Sequence, residues 1–405
     1  MDIQRLFSGV AVVIDDQINK PDSKDLIHQI VKKLDDKNIP MLKYEYVPDS
    51  ETISHFQNIN FVLLDWELFD KPVPGAPFDE EIHINDILDF ISRLKEITFL
   101  PIFIFTRLNP NGIIEKLEQK ELYKKDDNNY IFVKQKDDLI ENDKLFEEIE
   151  NWLKQTPSIY VLKEWEYSLI EARNKLFWDF YNINHKWPSV LQKTFTDDGS
   201  DVNYELGNFI FKNIMARTEP MQFDDDILKI EDKDLSKEEI RKVLEAERFI
   251  KQDSLPDIPF TGDLFKYQTD SRERYYLNIR PECDIARKSN PKLYCIKGKD
   301  IDETLINSGN DDEIKFNKGS FISKSNKIYL PFIVAGKILE FSFNDIEVKK
   351  WKSIKEDRVG KILPPYITAI QQKYAFYLQR QGLPAIPEKA IGERLESVHS
   401  SSQHE

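Results

Sequence analysis

The chain is poor in cysteine: only Cys283 and Cys295 occur in 405 residues. So few thiols exclude a disulfide-stapled scaffold and suit a reducing, cytoplasmic setting. The two lie twelve positions apart with no histidine nearby, a poor arrangement for zinc. Long apolar runs are also missing. No stretch of about 18 uncharged apolar residues appears, so no transmembrane helix and no membrane partner are expected. The opening MDIQRLFSGVAVVIDD has a short apolar run that ends in two aspartates. It lacks a small-residue cleavage site and reads as a buried strand, not a signal peptide. Histidine is scarce too, at positions 28, 55, 83, 185, 399 and 404. There is no internal repeat, no helix-turn-helix with a basic recognition helix, and no kinase nucleotide box, cyclase motif or phosphatase motif.

What is present is charge, unevenly spread. Residues 1–260 carry 33 Lys+Arg against 52 Asp+Glu, whereas residues 261–380 carry 22 against 16. The acidic front argues against a general nucleic-acid surface. The basic back either faces an acidic partner or simply complements the front. A chain of this length exceeds one hydrophobic core, so two or three domains are expected.

The first 155 residues alternate in type. Strand-length apolar runs lie at Val10–Ile14, Met41–Tyr46, Phe61–Leu64, Pro101–Phe105 and Tyr130–Val133. Between them, Leu26, Ile27, Ile30, Val31 and Leu34 mark one helix face, as do Ile84, Ile87, Leu88, Ile91 and Leu94. A third face is Leu145, Phe146, Ile149 and Leu153, and residues 50–57 and 110–120 supply shorter helices. The reading is α/β, a (βα)5 doubly wound parallel sheet over 1–155. Residues 156–255 read as helical, with a stripe Trp165, Leu169, Ala172, Leu176, Phe180 and a capping box at Ser236 and Glu239. The acidic stretch from Phe223 to Asp234 reads as a loop, and the aromatics Trp165, Phe177, Trp178 and Tyr181 read as core, with a partner groove as the alternative. From 256 to 382 the texture is β: Tyr275–Ile279, Lys292–Ile296, Glu313–Phe316, Ile328–Val334 and Ile338–Phe343 suggest a small barrel or sandwich, followed by a helix over Pro364–Gln379. Residues 383–405 read as a loose tail.

Chemistry gathers at the strand ends. Asp15 and Asp16 follow the first strand, Asp65 the third, Thr106 closes the fourth and Lys134 the fifth. In a parallel sheet these ends open on one edge, where ligands bind at the topological switch point. Three carboxylates crowded together repel unless a hard divalent cation joins them, and Mg2+ prefers such oxygen ligands. A cation there offsets charge that develops in phosphoryl transfer. Thr106 can donate a hydroxyl, and Lys134 a compact positive charge, to phosphoryl oxygens.

This set, Val-Val-Ile-Asp15-Asp16, Leu-Leu-Asp65, Phe-Thr106 and Val-Lys134, resembles the signature of receiver domains in two-component response regulators. The resemblance implies that Asp65 is the phosphoacceptor. It implies that Asp15, Asp16 and Asp65 bind Mg2+ with the backbone carbonyl of Glu67, and that Thr106 and Lys134 sense the phosphoryl group. The partners it implies are a histidine kinase or phosphotransfer protein, an output protein of unknown identity and, since receivers often dimerise, a second copy. The chain departs from the family in several places. Gln135 replaces the usual Pro, Arg107 the usual small residue, and Ile131 the switch aromatic, with Tyr130 and Phe132 beside it. The Glu67–Asn85 loop is long, and Asp65 and Thr106 lie 41 positions apart. The β region faintly resembles an uncharacterised SH3-like barrel attached to bacterial receiver proteins.

Three functions follow as expectations. The first is a cytoplasmic phosphoacceptor that signals through protein contact and is not a dedicated enzyme. The second is a silent receiver used as a scaffold, in a bacterial stress or phage-defence system. The third is an enzyme built around Cys283 and Asp284, although no histidine lies inside the β region to serve as base.

Overall fold

A computed structural model describes residues 3–20, 25–68, 80–124, 129–140, 144–229, 235–269, 272–285, 290–301, 323–324 and 326–381. The expected strand Glu313–Phe316, the tail 383–405 and much of the loop after Glu67 lie outside these. Two compact units divide the chain. One comprises residues 1–191 and 206–230, the other residues 192–205 and 231–405. The helical region expected over 156–255 is shared between them.

The first unit holds a five-stranded parallel sheet. Its strands are β1 (Ala11–Ile14), β2 (Met41–Tyr44), β3 (Phe61–Asp65), β4 (Ile102–Thr106) and β5 (Ile131–Gln135), in the order β2-β1-β3-β4-β5. That order is one of the two common doubly wound arrangements, and it puts the switch point between β1 and β3. Every residue of β1, β3 and β4 is buried. Central strands covered on both faces must be apolar throughout, which explains their continuous runs.

Alternate side chains divide between two cores. Ala11, Val13, Phe61, Leu63, Phe103 and Phe105 point into one. There they meet the helices Ile27–Asp36 and Leu145–Lys154 and the start of Pro157–Ile183. Val12, Ile14, Val62, Leu64, Ile102 and Ile104 point into the other, against the helices Glu80–Ile97 and Pro110–Gln119. Phe103 is an aromatic hub, with Phe61, Phe132 and Trp152 edge-on to its ring. Such contacts add about 0.5–1.5 kcal/mol beyond burial alone.

The long helix Pro157–Ile183 buries Ala172 and Leu176, with Leu169 and Phe180 packed beside them. The expectation that its aromatics are core is corrected here, because Trp165, Phe177, Trp178 and Tyr181 are all exposed. Of its aromatics, Tyr160 is buried and Phe180 packs inward against Trp187 and Phe209. Within the acidic stretch expected as a loop, Asp225–Leu228 forms one short helical turn, capped by the Asp224 carboxylate.

The second unit holds an antiparallel sheet. Its strands are β6 (Phe249–Lys251), β7 (Asp263–Thr269), β8 (Arg272–Asn278), β9 (Lys292–Ile301), β10 (Ser323–Lys324), β11 (Lys327–Ile333), β12 (Lys337–Lys350) and β13 (Arg358–Ile362). They run β10-β11-β12-β9-β8-β7-β13-β6, a curled sheet of eight strands. The capping box at Ser236 and Glu239 opens the helix Lys237–Arg248, which runs directly into β6. Helix Tyr366–Gln379 covers one face through Ile367 and Ile370. Gly298 faces the Phe341 ring so closely that an added Cβ would lie 2.5 Å from it.

Candidate functional site

The switch point of the parallel sheet carries a buried polar cluster at the end of otherwise apolar strands. Asp15 follows β1 directly, and Asp65 ends β3. The two strands are neighbours in register, so both carboxylates are delivered to one spot. One oxygen from each of Asp15, Asp16 and Asp65 lies within 4.8 Å of the others. Asp15 and Asp65 are buried, whereas Asp16 is half-buried.

The ammonium in this cluster comes from Lys136. Its Nζ lies 2.8 Å from Asp65 Oδ2, 2.9 Å from Asp15 Oδ2 and 3.4 Å from Asp25 Oδ1. Its side chain is 1% exposed. The lysine expected here was Lys134. That residue remains in β5 and pairs instead with Glu148 on helix Leu145–Lys154, at 3.0 Å. The physical reason is that β5 runs to Gln135, and the chain turns into a helix at Lys136. The side chain at the strand-to-helix junction is the one that reaches back over the sheet edge.

The remaining donors are specific. The Gln17 amide donates to Asp15 Oδ1 at 2.8 Å, and the Glu67 amide to Asp65 Oδ1 at 3.2 Å. Asp16 accepts from the Gln17 side chain and pairs with Lys20 at 3.4 Å. Thr106, fully buried, donates its hydroxyl to Glu67 Oε2 at 3.4 Å and accepts from the Leu108 amide at 3.0 Å. The Arg107 amide donates to the same Glu67 oxygen at 3.0 Å. The Arg107 guanidinium reaches the other way, to Asp25 Oδ2 at 2.7 Å. Asp25 thereby joins the cluster, and its Oδ1 also accepts the Ile27 amide. Sequence reasoning did not single out Asp25 or Lys136. Asp25 follows no strand, and its only local signal is an aspartate just ahead of a helical stripe.

Burial governs the electrostatics. It pushes the Asp15 carboxyl up to about 6, against the opposing pull of Lys136 and with a further push from Asp65. Asp65 and Asp16 are raised for the same reason, with Lys136 opposing at the first and Lys20 at the second. Burial also pushes on Asp25, but the Ile27 amide, Lys136 and Arg107 together outweigh it and hold that group low. Lys136 is held well above the usual lysine range: burial pulls it down, but Asp65 and Asp15 more than compensate.

The donor set suits a cation. Asp15, Asp16 and Asp65 bring three carboxylates, partly offset by Lys136 and Lys20. All-oxygen ligands select a hard cation. This acidic triad can hold a metal ion.

The other candidate centre is sparse by contrast. Cys283 is exposed on the short helix Glu282–Ile285, and the Asp284 carboxylate pairs with Arg280 at 3.4 Å. Among the described residues no base hydrogen-bonds the Cys283 thiol. Cys295 is buried, and burial pushes its thiol up to about 12, which leaves it inert.

No family model and no curated protein matches this chain. Among solved structures, it is similar to a chain carrying a yeast Spc42 trimeric coiled-coil segment fused to another structure, at 12% identity and a TM-score of 0.25, over 44% of this chain and 95% of that one. A likeness this slight carries no argument. The parallel sheet and its acidic cluster are compatible with a receiver fold. Among the described residues, no helix is long and apolar enough to cross a membrane.

Proposed function

We propose that this chain is a response-regulator-like signalling protein that accepts a phosphoryl group on Asp65. The observation that carries the reading is the contact of Lys136 with Asp65, in a pocket where Asp15 and Asp16 converge on the same point. A buried lysine bonded to two buried carboxylates is a costly arrangement, and an ordinary core would fill the space with apolar groups. Here it makes chemical sense. Asp65 Oδ2 stays on Lys136, while Oδ1 accepts only the Glu67 amide among these contacts and keeps a lone pair for attack.

The donor is a phosphohistidine of a kinase or phosphotransfer protein. The bond from Asp65 oxygen to phosphorus forms as the phosphorus–nitrogen bond breaks, and the leaving imidazole takes a proton from solvent. Asp15, Asp16 and Asp65, with the Glu67 backbone carbonyl, would hold Mg2+, which supplies charge neutralisation for the transferring group. The lysine role falls to Lys136, not to Lys134. Thr106 and the Arg107 amide are the further donors for phosphoryl oxygens. The output is contact with another protein, in the cytoplasm.

A second reading is favoured by a specific observation. Lys136 already bridges Asp15, Asp25 and Asp65, and Glu67 already satisfies Thr106. A pocket so well paired can persist as a silent receiver that serves only as a scaffold. Intact-mass measurement after incubation with acetyl phosphate and Mg2+ separates the two. One phosphate-sized gain in the wild type, lost in Asp65→Ala and in Lys136→Ala but kept in Lys134→Ala, is the expected result. No gain in the wild type, nor in an Arg107→Ala variant with a more open mouth, would leave the scaffold reading standing.

A further inference from the structure

The two donors best placed for a phosphoryl oxygen are already in use. The Thr106 hydroxyl and the Arg107 amide converge on a single oxygen, Glu67 Oε2, at 3.4 and 3.0 Å. Thr106 is oriented to donate away from its own strand. Its oxygen accepts the Leu108 amide, which leaves the hydroxyl hydrogen for an acceptor beyond β4. Glu67 is only two residues past Asp65, and its own amide bonds Asp65. Its charge also lies close enough to oppose ionisation of Asp65. A carboxylate therefore sits beside the phosphoacceptor on donors that also suit a phosphoryl group.

We propose that the Glu67 side chain is an internal occupant of the phosphoryl-oxygen site, so that Asp65 reacts only when Glu67 swings away from Thr106 and Arg107. This rests on the phosphoacceptor reading of Asp65. The contact acts as an autoinhibitory plug. The reactive population is the fraction of molecules in which Glu67 is out, and the apparent rate of modification falls by that fraction. Glu67 is half-buried at the pocket mouth, with solvent available to take its charge when it leaves.

The test is the initial rate of phosphorylation of the full chain by acetyl phosphate with Mg2+, read by intact mass. Wild type, Glu67→Ala, Glu67→Gln and Asp65→Ala would be compared, with far-UV circular dichroism to verify folding. A site lost to a charge-assisted contact implies a rate about tenfold higher in Glu67→Ala. Glu67→Gln keeps the shape and an acceptor oxygen but loses the charge, so it is expected between the two. Equal rates in wild type and Glu67→Ala, or slower ones in Glu67→Ala, would overturn the plug while leaving the phosphoacceptor intact. So would equal gains in both Glu67 variants, since charge repulsion alone would then account for them. Labelling that persists in Asp65→Ala, or is absent from every protein, would instead remove the phosphoacceptor reading and the plug with it.

Discussion

The two sheets of this protein use the same charges in opposite ways. In the parallel sheet, Lys136 is held among Asp15, Asp25 and Asp65 with almost no solvent contact. In the antiparallel sheet, Lys297 and Lys349 meet Glu347, while Lys266 and Lys337 meet Glu273, all on partly exposed faces. The second pattern is the ordinary one. Pairs of opposite charge on one wet sheet face are common and contribute little each. The first carries a desolvation penalty of several kcal/mol per ion that attraction alone rarely recovers. The comparison teaches where to look for chemistry: at the charges whose positions stability does not explain.

The comparison breaks most visibly if the buried lysine is removed. Lys136→Met leaves Asp15 and Asp65 buried without their cation, a change that typically costs about 3–5 kcal/mol. Urea unfolding followed on the first unit is expected to show a loss of this size. A loss below about 1 kcal/mol would mean that the cluster is far wetter than its burial implies. Added Mg2+ gives the sharper version. If the acidic triad takes a divalent ion, Mg2+ restores part of the lost stability in Lys136→Met and none in Lys136→Met with Asp16→Ala and Asp65→Ala.

The difference between the sheets also explains what the sequence could tell. The parallel sheet was legible because central strands buried on both faces must be apolar, so β1, β3 and β4 stand out as runs, each followed at once by its polar residue. Asp15, Asp16, Asp65 and Thr106 were readable for that reason. Lys136 was not. Lys134 and Lys136 are two apart, and which one reaches the pocket depends on where β5 gives way to helix, a choice made by packing. Asp25 arrives from a helix start and has no strand to announce it. In the antiparallel sheet, β7 and β13 went unrecognised because neither is an apolar run: Asp263 and Lys266 break up β7, and Arg358, Gly360 and Lys361 break up β13. Their pairing, Asp263 with Lys361 and Leu264 with Gly360, joins residues almost a hundred apart.

The contrast is not complete: among the described residues, the antiparallel unit also buries a charge pair. Asp263 and Arg358 are both buried, 3.4 Å apart. Asp263 also accepts the Phe260 amide, and Arg358 donates to the carbonyls of Pro256 and Ile258. Burial pushes Asp263 up to about 7, against the pull of the Phe260 amide and Arg358. A carboxyl whose folded value exceeds its unfolded one binds its proton more tightly when folded. Its contribution to stability is full below the unfolded value of 3.8 and is lost as pH rises toward about 7. Asp263→Asn has no such proton to lose. Its stability relative to wild type is therefore expected to improve between pH 4.5 and 8, read as the difference in urea midpoint. A difference that stays constant with pH would place Asp263 in contact with water.

The smallest effect should come from the exposed ladder. Glu347 accepts from Lys297 at 2.6 Å, Lys349 at 2.7 Å and Tyr276 at 2.9 Å. These bonds, led by Lys297, hold its carboxyl down at about 2. The group is a third exposed, so solvent screens most of that advantage. Glu347→Gln keeps the shape and a Tyr276 acceptor, and should cost only about 0.2–1 kcal/mol. That cost should fade in 1 M salt, where the screening length is about 3 Å. The loss in Lys136→Met should persist there in monovalent salt, because buried charges are screened far less than exposed ones. If the Glu347 deficit also survives high salt, the ladder is drier than its exposure suggests. The antiparallel sheet would then hold, beside Asp263 and Arg358, a further set of dry charges, and the difference between the two sheets would narrow.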